Sequence, residues 1–219
     1  MKNNLNNEGI SGNPTIRKIM MTKASPREEQ ILSVEECNLL IRWTEVNDPE
    51  LLIYPVICLF AGLRLNQEAT CIDWSSITIS RIIVDETIAK DRQKRIIKPL
   101  TPNLVEWIRY IDSKGVKPFP LRNLRRRWDR VKQVVGRKWL HDSMRHSYAS
   151  YHFAMFGNAE LTARNLGHPD STLLRQVYNG AVTIAEAHKF WSIVPKYILS
   201  NYPCNNFSSV DYPIQYQFA

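Results

Sequence analysis

Nothing in this chain is spaced to hold zinc. The four cysteines, Cys37, Cys58, Cys71 and Cys204, lie far apart with neither a CxxC pair nor a Cys/His spacing among them, so they read as free thiols in a reducing cytoplasm, the first three in or beside apolar segments. Long apolar runs are lacking too. The longest, Leu51 to Leu63, is too short to span a bilayer, and no basic-then-apolar leader opens the chain, which predicts a cytoplasmic protein with no membrane partner. Acidic residues are in deficit: 21 Asp and Glu stand against 29 Lys and Arg, giving +8, a surplus that favours a polyanion through counterion release, with an anionic membrane surface as the other candidate. The 44% of hydrophobic residues in 219 positions is enough for one domain with its own core.

Residues 1–25 hold five Asn in the first thirteen positions and little apolar periodicity before Ile19, and residues 1–32 together read as a flexible arm. Ser33 with Glu36 forms a capping box before an apolar run, which predicts a helix to about Glu45, broken by Asn47, Asp48 and Pro49. A second helix, about Glu50 to Ala61, is apolar nearly all round and hence buried; Gly62 ends it and delivers Arg64 just past its end. Two segments rich in β-branched residues, Ile77–Val84 and Arg95–Pro99, flank the polar stretch Ala89–Lys94 and predict a small antiparallel sheet with Lys90 near its tip.

Thr101-Pro102 reads as a cap and first turn of a helix closed by Gly115. A helix over about 120–135 places Leu121, Leu124, Trp128, Val131 and Val135 on one face and Arg122, Arg125, Arg126 and Arg130 mostly on the others. Such a basic face is either solvated surface or a contact for an anionic partner. Thr183 with Glu186 makes a second capping box, for a helix through Trp191. The fold class expected is mainly α with a small antiparallel sheet, as one domain over residues 33–200 and a tail from 201 to 219.

The stretch Leu140–Gly180 gathers His141, Arg145, His168 and Tyr178 without a cluster of acids to hold a metal. That set suits chemistry on a phosphate with no metal or other cofactor. Transesterification at a phosphodiester needs an aligned nucleophile, neutralised phosphoryl oxygens and a proton for the leaving oxygen. Arginine suits the second task, and Arg64 and Arg145 are the candidates. A tyrosine serves as nucleophile only beside a base or a cation that helps it lose its proton. Lys90 and His141 are candidates for proton traffic, and His168 for a bond to a phosphate oxygen. Taken singly, each has a plainer reading: a helical tyrosine usually packs, and an arginine after a helix usually meets its last carbonyls.

The segments LFAGLRLNQEATCIDWSSI, IAKDRQKRIIKPL, HDSMRHSYAS, NLGHPDS and RQVY occur in an order that resembles the tyrosine recombinases, the phage-integrase family, over roughly residues 30–195. The resemblance implies that fold's catalytic domain, double-stranded DNA as partner, and a homo-oligomer, dimer or tetramer, on DNA. Tyr178 would attack the scissile phosphate to give a 3′-phosphotyrosyl link, Arg64 and Arg145 would hold its oxygens, and Lys90 would protonate the leaving oxygen. His141 would assist proton transfer at the tyrosine, His168 would bond a phosphoryl oxygen, and Glu68 would support the site. Arg92, Lys94, Arg122, Arg125, Arg126 and Arg130 would contact DNA.

This chain departs from the family pattern at three places. His141 and Arg145 are separated by three residues where the family has two, so Asp142 stands at the common histidine position; an i,i+4 relation at the start of a helix would still keep both side chains on one face. The usual GLRxxE carries an extra residue, leaving Gln67 or Glu68 as the supporting residue, of which Glu68 better fits the distance to Trp74. The 32 residues before Ser33 are too few for the family's N-terminal helical clamp domain. That shortfall favours a competing reading, a truncated, non-catalytic DNA-binding relic or accessory subunit.

Overall fold

The structure, a computed structural model, describes residues 31–115, 122–136, 138–178 and 180–196. Most of the segment read as an arm, all of the C-terminal tail and the position of Leu121 lie outside these residues. Eight helices and one two-stranded sheet follow in chain order among the described residues: α1 (Val34–Asn47), α2 (Ile53–Phe60), β1 (Ile82–Val84), β2 (Arg95–Ile97), α3 (Pro102–Ser113), α4 (Leu124–Val135), α5 (Ser143–Phe156), α6 (Ala159–Leu166), α7 (Thr172–Tyr178) and α8 (Ile184–Trp191). The expected class, mainly α with a small antiparallel sheet, is the one observed.

The core is built on α2 and α5. Every residue of α2 is buried, as its unbroken apolar run requires, and each fully buried Leu, Ile or Phe contributes about 1.5–3 kcal/mol. The helix is shorter than the sequence predicts because Pro49–Leu51 forms a 3₁₀ turn first. That turn brings Pro55 into the first helical turn of α2, where a missing amide loses no intrahelical bond. Around this pair, α3 packs on α2, and α6, α7 and α8 pack on α5.

Helix α5 is buried on nearly every side and carries Ser143, Arg145, Ser147, Ser150 and His152 inside. Several of them find partners on or beside the helix: Ser147 Oγ donates to Ser143 O at 2.8 Å, and His152 Nδ1 meets Thr162 Oγ1 at 2.7 Å. Ser147 Oγ also accepts from Leu32 N at 2.8 Å while the Tyr151 hydroxyl donates to Leu32 O at 3.0 Å. Leu32, the last residue of the expected arm, is therefore docked on α5, and Ile31 before it is buried as well.

Both capping boxes form. Ser33 and Glu36 exchange bonds at 2.7 and 3.2 Å, and Thr183 and Glu186 do the same at 2.7 and 3.2 Å. Helix α8 packs within its own chain, with Tyr151 and Phe190 stacked at 4.2 Å and the Trp191 indole donating to Tyr151 O at 3.2 Å.

The expected first strand shortens to β1 because Thr78 and Arg81 close a turn ahead of it, Thr78 N donating to Arg81 O at 2.9 Å. The register pairs Ile82 with Ile97, Ile83 with Ile96 and Val84 with Arg95. Thr101 stands at the cap position of α3 but makes no side-chain cap bond there. Helix α4 starts at Leu124, after the left-handed Asn123. Cys37 and Cys58 are buried, whereas Cys71 is exposed, just past the turn formed by residues 65–69.

Candidate active site

Two residues past the end of α2 stands Gly62, whose φ of +72° is open to glycine and strained for other residues. A Cβ there would lie 2.5 Å from the Tyr148 ring. The sharp exit leads directly into a π-helical turn, Leu65–Ala69, in which Ala69 N donates to Arg64 O at 2.9 Å and Thr70 N to Leu65 O at 3.2 Å. A π turn holds one residue more than an α turn. It accommodates the extra residue of this segment and turns Glu68 inward, fully buried, while Gln67 stays exposed.

Glu68 is the centre of a charged cluster. Its carboxylate accepts from Arg64 N at 2.9 Å and from the Arg64 guanidinium at 3.1 Å. On its other side Arg95 binds it in a two-bonded fork at 2.9 and 2.7 Å, a geometry that guanidinium and carboxylate planes favour. Arg145 completes the group with a nitrogen 3.8 Å from Glu68. Burial opposes the Glu68 charge, but the Arg95 bonds and the surrounding cations outweigh it and hold its pKa below the ordinary value.

Arg145, from the first turn of α5, donates to Gly62 O at 2.6 Å and to Leu166 O, so it ties the end of α2 to the end of α6. Burial, then repulsion from Arg64, lower its pKa to about 10, against the pull of Glu68; it remains a cation at neutral pH. Here three guanidiniums contact one carboxylate, leaving a surplus of positive charge.

At the end of α6, Gly167 adopts φ +69° close against Arg95, and His168 follows. Its Nε2 is 3.5 Å from an Arg145 nitrogen. Burial and then Arg145 push His168 down to about 4, so the ring is neutral at pH 7. A neutral ring whose Nε2 faces a guanidinium donor carries its hydrogen on Nδ1. That atom is buried and meets no hydrogen-bond partner among the described residues.

Tyr178 is the last residue of α7, a helix anchored by the fully buried Leu174. Its own exposure is 5%. The hydroxyl meets His146 Nδ1 at 2.7 Å. Burial pushes the phenol up to about 12, while the charge of Arg145 acts in the opposite direction.

His141 does not fill that position. It lies ahead of α5, is 81% exposed and pairs with Asp142 at 3.3 Å. The expectation that His141 and Arg145 share a helical face fails because Asp142 has φ +58°, and this left-handed residue breaks the helical period between them.

Lys90, Arg92 and Lys94 are exposed on the β1–β2 loop, which buried Ala89 pins to the body of the protein. The structure does not bring Lys90 into contact with the arginine cluster. Arg122, Arg125, Arg126 and Arg130 are exposed on and just before α4. Arg127 is not available in the same way, since it binds Asp48 on two nitrogens and Glu50 at 2.9 Å. Beside Arg145 a cleft of about 260 Å³ opens, with Leu65, Asn66, Trp128, Trp139 and His141 in its wall.

Sequence reasoning passed over two residues of this region. Arg95 carried a usable signal: it stands two positions before the buried Ile97, so strand parity turns both inward. His146 carried a weaker one, its place next to Arg145, and only the packing of α7 on α5 reveals its partner.

No family model matches the sequence, and no curated protein matches it. Among solved structures the fold is similar to that in the crystal structure of XerA recombinase, with a TM-score of 0.54 and 16% sequence identity over 79% of this chain and 65% of that one. The chain thus spans just under two thirds of the recombinase's length. At that identity the likeness is one of fold.

Proposed function

We propose that this chain is a DNA strand transferase of the tyrosine recombinase type, acting through a covalent phosphotyrosine intermediate. The carrying observation is the positive surplus around Glu68. Buried charge normally meets its counter-charge, and a cluster in which Arg64, Arg95 and Arg145 share a single contacting carboxylate calls for an anion. A phosphodiester supplies that charge, and Tyr178 lies within the electrostatic reach of Arg145. The likeness of fold to a recombinase supports the same reading.

In this reading Arg64 and Arg145 hold the phosphoryl oxygens, and His168, beside Arg145, bonds one of them. Tyr178 attacks phosphorus, and Lys90, carried on the exposed loop, reaches the site with DNA bound and protonates the 5′ oxygen. The exposed arginines of α4, with Arg92 and Lys94, contact the duplex. The bond energy is kept in the tyrosine–phosphate link, so a second 5′ hydroxyl reverses the step without a nucleotide cofactor.

The test is covalent capture. A pool of nicked suicide duplexes of randomised sequence, incubated with the chain in EDTA, should yield a protein–DNA adduct that Tyr178→Phe abolishes. A second reading, a DNA-binding relative that does not cleave, is favoured by the deep burial of the Tyr178 side chain. It predicts salt-sensitive binding with no adduct.

A further inference from the structure

We infer that His146, rather than His141, takes the Tyr178 proton during strand cleavage, through its Nδ1 atom. This deepens the recombinase reading and rests on it. The geometry is direct: Nδ1 lies 2.7 Å from the phenol oxygen, with the two rings tilted by 36° at 6.0 Å between centroids. His146 follows Arg145 on α5, so one helical turn carries both the anion clamp and the partner of the nucleophile. His141 is on the far side of the left-handed Asp142 and turned to solvent.

The electrostatics explain why the pair rests unreacted and fires with substrate. Burial disfavours the imidazolium of His146, and burial also keeps the proton on the phenol of Tyr178. The charged or titratable groups that act on His146 are Asp142, which favours its protonation, and Arg145 and His141, which oppose it. Tyr178 faces it from α7, and His168 beyond α6 is coupled to it. A bound phosphodiester brings a negative charge that offsets Arg145, so the imidazole becomes more basic when the substrate arrives. The proton then leaves as the oxygen bonds to phosphorus, because an aryl phosphate oxygen cannot retain it.

The step balances. The Tyr178 Oη–P bond forms, the P–O5′ bond breaks, the phenol proton passes to His146 Nδ1, and the 5′ oxygen receives a proton from the separate donor assigned to Lys90. Rejoining returns each proton. The mechanism requires the tautomer of His146 with its hydrogen on Nε2 and the lone pair on Nδ1.

Single-turnover cleavage of the captured duplex by the full chain tests this. His146→Asn keeps an acceptor near the Nδ1 position but cannot take a proton. It should react about 10²–10⁴-fold more slowly than wild type, as His146→Ala should. The wild-type rate should also fall on acidification through the His146 pKa in the DNA complex, and the Asn variant should lack that limb. A duplex whose 5′ leaving oxygen is replaced by sulfur needs no acid, and His146→Asn should remain slow on it. An Asn variant within a few-fold of wild type, or one restored by sulfur, overturns the inference.

A measurement without DNA stands beside these. The ¹⁵N shifts of the His146 ring in the free protein should show Nδ1 unprotonated and Nε2 protonated, and the opposite tautomer overturns the inference even if adducts form. Absence of any wild-type adduct removes the recombinase reading and this inference with it. An adduct whose rate ignores His146→Asn removes this inference alone.

Discussion

At the scale of single residues, Glu68 matters most because removing its charge leaves three guanidiniums facing one another. Breaking a buried ion pair by deleting one partner costs about 3–5 kcal/mol. Glu68→Gln, which keeps the shape, should lower unfolding stability toward the lower end of that range, read as a shift in urea midpoint without a change in slope. His152 sets a different limit. It is fully buried, and burial pushes it down to about 3, whereas in the unfolded chain it titrates near its ordinary value of about 6.5. On acidification the unfolded chain binds its proton first. The contribution of a neutral His152 is thus complete above pH ~6.5 and declines toward pH ~3, by roughly 1.4 kcal/mol per pH unit across that window. Denaturant titrations at pH 7 and 4.5 should differ by about 2–3 kcal/mol from this group, and His152→Gln should remove that share of the difference.

At the scale of elements, Gly62 and the π turn after it align the cluster. Gly62→Ala meets the Tyr148 ring and a left-handed φ together. It should cost more than the ~1–2 kcal/mol of backbone strain alone, and it should weaken adduct formation because Arg145 donates to the Gly62 carbonyl. Thermal melts of the variant beside Gly115→Ala, another positive-φ site where a Cβ would meet nothing within 4 Å, separate the two costs. Elements of this kind were unevenly legible in the sequence. The capping boxes, the apolar run of α2 and the arginine-rich face of α4 are local patterns, and local patterns translate directly into helices. The extra residue after Arg64 was visible as an irregularity, but its resolution into a π turn depends on the carboxylate being drawn to Arg95 and Arg145 from distant segments. The expectation that His141 shares a helical face with Arg145 failed at one backbone angle, that of Asp142, which no side-chain periodicity reports. The partner of Tyr178 was hidden for a related reason: it is set by how α7 lies on α5, a tertiary fact.

At the scale of the whole molecule, positive charge is divided between fold and ligand. Arg127 spends its donors on Asp48 and Glu50, so Arg127→Ala should cost about 3 kcal/mol of stability, read from a urea midpoint. Arg126, exposed on the same helix, should instead affect DNA: Arg126→Ala should reduce the slope of log K against log salt by about 1 and leave the urea midpoint within about 0.5 kcal/mol. Leu32 adds a mechanical relation across the molecule. Its amide and carbonyl are both fastened to α5, at Ser147 and Tyr151, and Ser147 follows His146 in the chain. Tension on the backbone ahead of Ser33 is therefore delivered to the same helical turn that sets the distance from His146 to Tyr178, and pulling there with an optical tweezer would detune the pair before it unfolds the domain.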